Sequence, residues 1–137
     1  YKNENVDDML DKYCSNGVNV YFDNVGGKIA DSVINKLANY ARVAVCGVIS
    51  QYNLTEAESG LRTHRAMLTN QATTEGFLVF QFAQIYHVGM DRMAKWINEG
   101  KIIYKEDIVV GLENAPEAFI GLMNGKNFGK LLIKVSD

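Results

Sequence analysis

The chain has 137 residues, of which 47% are hydrophobic and 22% charged, an ordinary composition for a globular domain long enough to build a real core. Its 14 basic and 16 acidic residues are well mixed and leave a net charge of −2, so there is no basic run to bind a phosphate backbone and nucleic acid is excluded as a partner. The longest apolar runs, such as Val43–Val48, are far too short for a bilayer, which removes the membrane as well.

Two cysteines, Cys14 and Cys46, make no disulfide framework and have no zinc-site spacing, so both read as reduced thiols of a cytoplasmic protein. Tyr1-Lys2-Asn3-Glu4-Asn5 contains no apolar signal segment. The missing initiator Met points to a numbering that begins inside a longer gene.

Taken in order, Val6, Met9, Leu10 and Tyr13 predict one amphipathic helix that Ser15-Asn16-Gly17 stops. Val18 to Phe22 is a strand rich in β-branched and aromatic residues, broken by Asp23-Asn24-Val25-Gly26-Gly27. Ile29, Val33, Ile34 and Leu37 then form a single apolar stripe, predicting a helix from about Lys28 to Leu37 and completing a βα unit. Asn39-Tyr40-Ala41 reads as a turn into Arg42–Cys46, a strand of small apolar residues suited to burial on both faces of a parallel sheet.

Ser50–Thr74 is polar, a functional-loop candidate carrying a short helix around Leu61–Leu68. Glu75–Phe80 reads as a third buried strand, and a helix from about Ala83 to Glu99 follows, with Trp96 and the methionines at core spacing and Gly100 as its C-cap. Up to Gly100 the order is β-α-β-loop-β-α, the rhythm of a doubly wound α/β sheet. Beyond it, Ile102–Val110 alternates in part, as an antiparallel or edge strand does. A helix over Ala115–Met123 carries Pro116 in its first turn, and Leu131–Val135 is a last strand. The expected boundary lies between residues 99 and 100.

If the three strands are parallel neighbours, their ends line one edge where a ligand can sit, and Gly26 and Gly27 would let backbone approach a phosphate or ribose. The same glycines serve ordinary βα turns, and the spacing leaves both readings open. No G-x-G-x-x-G and no Gly-Lys-Ser/Thr phosphate loop occurs, so the chain alone does not spell out a nucleotide site. His64 and His87 stand apart without ligand partners, so no metal is expected, and no nucleophile elbow supports hydrolysis. Tyr52, just past a strand end, either presents a phenol to a ligand or anchors its loop.

Tyr21–Gly27 and Val45-Cys46-Gly47-Val48-Ile49-Ser50-Gln51-Tyr52-Asn53 closely resemble the medium-chain dehydrogenase/reductases. So do Gly76–Phe80, Glu99–Lys101, Gly111–Phe119 and Gly125–Lys130, in the same order along nearly the whole chain. The most similar branch is the zinc-independent one of prostaglandin reductases, leukotriene hydroxydehydrogenases and alkenal double-bond reductases. The resemblance implies the C-terminal part of such an enzyme. Residues 1–99 would be the second half of a Rossmann-type parallel sheet, lacking its glycine-rich first βα unit. Residues 100–137 would be a strand-helix-strand return of the catalytic domain. By itself the segment is expected to be inactive.

The resemblance further implies hydride transfer from NADPH to the carbon–carbon double bond of an enone or alkenal. It places Tyr1 beside the adenosine and Asn24 at the first strand end. Cys46, Gly47, Val48, Ile49, Ser50, Gln51 and Tyr52 would run past the nicotinamide ribose, Phe77, Leu78 and Val79 would abut the carboxamide, and Asn127 would close the site. Tyr52 would also donate to the substrate carbonyl. A cytoplasmic homodimer through the edge strand Phe77–Phe80 and docking onto the remainder of the chain complete the expectation. Leu54–Thr74 lacks the family's prolines, so the substrate is the least defined part. The alternatives are a quinone oxidoreductase of the same superfamily and a non-catalytic α/β assembly module.

Overall fold

Tyr21 and Asp23 alternate with Val20 and Phe22, so β1 (Val18–Asp23) gives one set of side chains to each face of its sheet. In the computed structural model, which describes residues 3–136, the chain divides into two units, one ending at Ala83 and one starting at Gln84. The first unit opens with α1 (Val6–Tyr13). Its cap is Asn5, whose side-chain oxygen accepts from the Asp7 and Asp8 N–H groups, and Lys36 pairs with Asp11 on its flank. After β1 come α2 (Gly27–Ile34) and β2 (Leu37–Val45).

The sheet order is β1-β2-β3, all parallel, with β3 at Thr73–Gly76. The strand ends therefore line one edge, as the doubly wound reading requires. One face packs: Val33, Leu37, Ala41 and Val43 are buried, with Leu10, Val18, Tyr21, Ile34, Val45, Met67 and Ala72 against them. The other face is bare: Val20 is 73% and Phe22 59% exposed.

Several expectations need correction. The helix after the glycine pair ends at Ile34, three residues early, because Leu37 already pairs with Val18. Asn39-Tyr40-Ala41 is no turn between elements but an irregularity inside β2. The register jumps from Val18↔Leu37 to Val20↔Arg42, and Tyr40 takes a left-handed φ of 62° while its N–H donates to the Asn70 carbonyl at 2.7 Å. Arg42–Cys46 is not buried on both faces: Val43 is buried, whereas Arg42 is exposed on the bare side.

The third strand is also displaced. Pairing with β2 stops at Gly76, and after the Phe77 N–H donates to the Val45 carbonyl the chain curls into a 3₁₀ turn over Val79–Ile85. Phe77–Phe80 is thus neither a strand nor buried, with Leu78 at 67% and Phe80 at 78% exposure. The apolar run was legible, but its hydrogen-bond partner β2 ends first. The short helix of the long loop is α3 (His64–Thr69).

In the second unit α4 (Tyr86–Asn98) has no buried residue. Trp96 and Met93, read as core, are half-exposed. β4 (Glu106–Val110), α5 (Ala115–Met123) and β5 (Lys130–Lys134) form a parallel βαβ with register Ile108↔Leu132. An antiparallel or edge strand was expected there; β4 is an edge strand of a two-stranded sheet, but a parallel one. The α5 crossover reverses the chain once and returns β5 in the same direction. Among the described residues no helix is long and apolar enough to cross a membrane.

Candidate functional site

The polar edge of the sheet is built where β1 and β2 end side by side, Asp23 opposite Val45. Asp23 is buried, and its Oδ1 accepts the Val25 N–H at 2.9 Å, the Gly26 N–H at 2.8 Å and the Tyr21 hydroxyl at 2.9 Å. This closes the tight turn into α2, where Gly26 sits at φ 69° with the Val48 side chain only 3.0 Å from where a Cβ would be. Burial, then the bond to Asp23 and its negative charge, push the Tyr21 phenol well above its ordinary value and keep it a proton donor.

The carbonyls of that turn hold the chain leaving β2. Asp23 accepts from Cys46 N–H at 2.7 Å and Gly47 N–H at 3.2 Å, and Asn24 accepts from Ile49 N–H at 3.3 Å. Val25 accepts from Ser50 N–H at 3.0 Å and from the Ser50 hydroxyl at 2.6 Å. Residues 49–51 then make one 3₁₀ turn that carries Gln51 and returns Tyr52 towards Val48, whose N–H donates to the Tyr52 hydroxyl at 3.4 Å. Since that oxygen accepts from the backbone, its own proton is free to point outward.

Three of the expected site residues converge around one absent side chain. A Cβ on Gly47 would lie 2.6 Å from Asn24 Oδ1 and 3.2 Å from the Tyr52 hydroxyl. Asn24 and Tyr52 are both exposed there, so a small polar cradle opens at the strand ends. Such a cradle presents an amide and a phenol hydroxyl to whatever occupies the strand ends.

Phe77 follows directly from the β3 end and packs edge-to-face with Phe22 at 6.0 Å and Phe82 at 5.8 Å between ring centres. This trio lines the bare face beside Arg42, Ala44, Thr73 and Glu75, in a hollow of about 380 Å³. Leu78 and Val79 are exposed, with the Leu78 N–H capped by the Gln81 side chain at 3.0 Å.

Asn127 belongs to the second unit, where its side-chain N–H donates to the Gly129 carbonyl at 2.8 Å. Tyr1 lies outside the described residues. Cys14 and Cys46 are free thiols of intermediate burial, and His64 and His87 are exposed. Asp23 and Tyr21 were missed as working residues. The signal was there: a Tyr-x-Asp pair shares one strand face, and Asp-x-x-Gly is a turn that a carboxylate closes.

A model of the zinc-binding dehydrogenase family matches residues 1–133. The chain is 42% identical to the NADP(+)-dependent 2-alkenal reductase of Nicotiana tabacum, over 99% of its length and 40% of that protein. It is 41% identical to the NADPH-dependent curcumin reductase of Escherichia coli, over 94% of its length and 39% of that protein. The crystal structure of CurA from Vibrio vulnificus in complex with NADPH superposes with a TM-score of 0.85 at 41% identity, covering 96% of this chain and 40% of that one. The chain thus spans about two fifths of the length of these relatives. With the parallel α/β sheet, it belongs to the zinc-binding dehydrogenase family, on the reductase branch of the medium-chain dehydrogenase/reductases.

Proposed function

We propose that this chain is part of an NADPH-dependent reductase of the conjugated carbon–carbon double bond of enones and alkenals. The observation that carries the reading is the cradle at Gly47, where Asn24 and Tyr52 meet at the carboxyl ends of β1 and β2. The alkenal and curcumin reductase relatives and the NADPH complex of CurA support it. NADPH, when bound, supplies the hydride for the β-carbon of the substrate, and an enolate remains to be protonated.

Asn24 would meet the cofactor from the β1 end with its amide. The N–H groups of Cys46, Gly47, Ile49 and Ser50 are committed to the carbonyls of residues 23–25. What this run offers ribose hydroxyls is therefore carbonyl oxygens, which suit donors. Val48 holds the Tyr52 hydroxyl from behind, so the phenol would donate to the substrate carbonyl and stabilise the charge that develops on its oxygen. Gln51 follows in the same turn, and Phe77, Leu78 and Val79 give an apolar flank for the carboxamide end. Tyr1 would lie beside the adenosine, and Asn127 would close the site. On this reading residues 1–99 belong to the nucleotide domain and residues 100–137 to the catalytic domain.

The enzyme so described is cytoplasmic, works without zinc and pairs as a homodimer through a sheet edge. Among the described residues that edge is Thr73–Gly76, all four exposed. The test is NADPH consumption by the full-length enzyme with an alkenal, and with a quinone in parallel. A higher kcat/KM for the alkenal is expected, and Tyr52→Phe should lower it about tenfold or more while leaving NADPH binding within about twofold. Turnover of quinone alone, or an unchanged kcat/KM in Tyr52→Phe, would overturn the assignment.

A further inference from the structure

Asp23 is the only charged side chain buried among the described residues, and a buried carboxylate needs partners to persist. One oxygen of it gathers three donors: two successive backbone N–H groups of the turn and the Tyr21 hydroxyl two residues back on the same strand face. The turn held this way exposes three consecutive carbonyls, those of residues 23, 24 and 25. Each of them accepts from a residue of the 46–50 run, which is 23 to 25 positions further along the chain.

Strand pairing between β1 and β2 ends at Asp23 and Val45. Beyond that point the hydrogen bonds that tie residues 46–50 back to the β1 side all come from the turn carbonyls, while Val48 is held separately by Tyr52, and the turn that presents those carbonyls is closed by one carboxylate oxygen. We infer that the Tyr21–Asp23 pair is a positioning device that fixes the 46–50 run and, through it, the affinity for the cofactor. Neither side chain needs to touch the cofactor for this. The inference rests on the proposed role of residues 46–50.

The mechanism explains why Tyr21 carries a hydroxyl at a site otherwise packed against Val33, Leu37, Ala41 and Val43. A phenylalanine would fill that space equally well. The hydroxyl adds only the third bond to Asp23, and it restrains the carboxylate from the strand side while the two N–H groups restrain it from the turn side. Without it the carboxylate can rotate about its own bond, and the turn carbonyls lose their common reference.

The test compares full-length wild type, Tyr21→Phe, Asp23→Ala and Asp23→Asn by two measurements. Amide hydrogen exchange followed by mass spectrometry reads the 46–50 run without cofactor, and fluorescence titration reads NADPH affinity. Tyr21→Phe should speed exchange over residues 46–50 by about three- to tenfold and raise the NADPH Kd by a similar factor, the scale of one lost hydrogen bond. Exchange in α1 should stay at the wild-type rate. Asp23→Ala should exceed both effects. Asp23→Asn, whose amide oxygen accepts the same three donors, should stay within about twofold of wild type.

Unchanged exchange over 46–50 in Tyr21→Phe would overturn the inference. So would a uniform rise that includes α1, since that marks general loosening, or faster exchange with no change in Kd. A wild type that binds no NADPH would sink the proposed function instead, and the exchange comparison separates the two failures.

Discussion

Gly47→Ala discriminates between a glycine kept for backbone freedom and one kept for an open site. The Gly47 backbone is not left-handed, so alanine adopts it without torsional strain. What the new methyl meets is Asn24 Oδ1 at 2.6 Å, which must retreat by about 0.8 Å to reach the 3.4 Å of ordinary contact, and the Tyr52 hydroxyl at 3.2 Å, which must shift by about 0.2 Å. Both obstacles are the far ends of exposed side chains. Swinging Asn24 away from its preferred rotamer costs about 0.5–1.5 kcal/mol. The loss of glycine entropy from the unfolded chain returns about 0.4–1 kcal/mol. The net change in stability is within about 1 kcal/mol, or a few degrees of Tm. Function should behave differently, because a displacement approaching 1 Å in a positioning group costs up to about a hundredfold in rate. The expected variant therefore melts within about 4 °C of wild type by calorimetry. It should bind NADPH at least about tenfold more weakly and lose about ten- to a hundredfold in kcat/KM. Kd and kcat/KM both within about twofold of wild type would show that Asn24 and Tyr52 do not work as a pair around this gap.

Gly17→Ala should give the opposite profile. Gly17 has φ 86°, and its Cβ would fall 2.9 Å from the Ala38 nitrogen and 3.0 Å from the Lys36 carbonyl, backbone atoms that cannot swing aside. A loss of about 2–4 kcal/mol in chemical denaturation is expected, with NADPH affinity of the folded fraction unchanged. An alkaline titration tests Tyr21. Its folded-state proton is held more tightly than in the unfolded chain, so above the ordinary phenol pKa of about 10 the unfolded state binds fewer protons and stability falls as pH rises. Tyr21→Phe should remove that part of the fall between about pH 10 and 11 in denaturant melts; an identical slope in both proteins would contradict the buried hydrogen bond to Asp23.

The sheet was legible because its information is local. Val18–Phe22, the Asp-Asn-Val-Gly-Gly turn and Arg42–Val45 combine β-branched residues with hard punctuation, and the parallel order follows from the helix between them. Ala115–Met123 was legible to the residue, since Pro116 marks its start and Asn124-Gly125 its end. Phe77–Phe80 misled because an apolar run records hydrophobicity but not the length of the strand it must pair with. Trp96 and Met93 misled for a related reason: helical spacing describes a face, and burial depends on what lies across from it. At the site, Tyr52 was singled out by its place just past a strand end, and Asn24 only through the family resemblance. The meeting of both at Gly47 was not legible, since it depends on three-dimensional register rather than on either motif.

That register ties the site to the fold. A slip of β1 against β2 by one residue would turn Tyr21 and Asp23 to the bare face and bring Val20 and Phe22 into the core. It would also carry Asn24 about 3.3 Å along the strand, away from the Gly47 gap. Such a slip is disfavoured twice: Ala41 and Val43, 1% and 3% exposed, leave no room for Phe22 on their face, and the carbonyls of residues 23–25 would lose the N–H donors of Cys46, Gly47, Ile49 and Ser50. Packing fixes β1 through Val18 and Tyr21. The carboxylate carries the same register past the end of the sheet, into the turn whose carbonyls hold residues 46–50. The polar turn is therefore the means by which a core built from Val33, Leu37, Ala41 and Val43 determines where Asn24 and Tyr52 point.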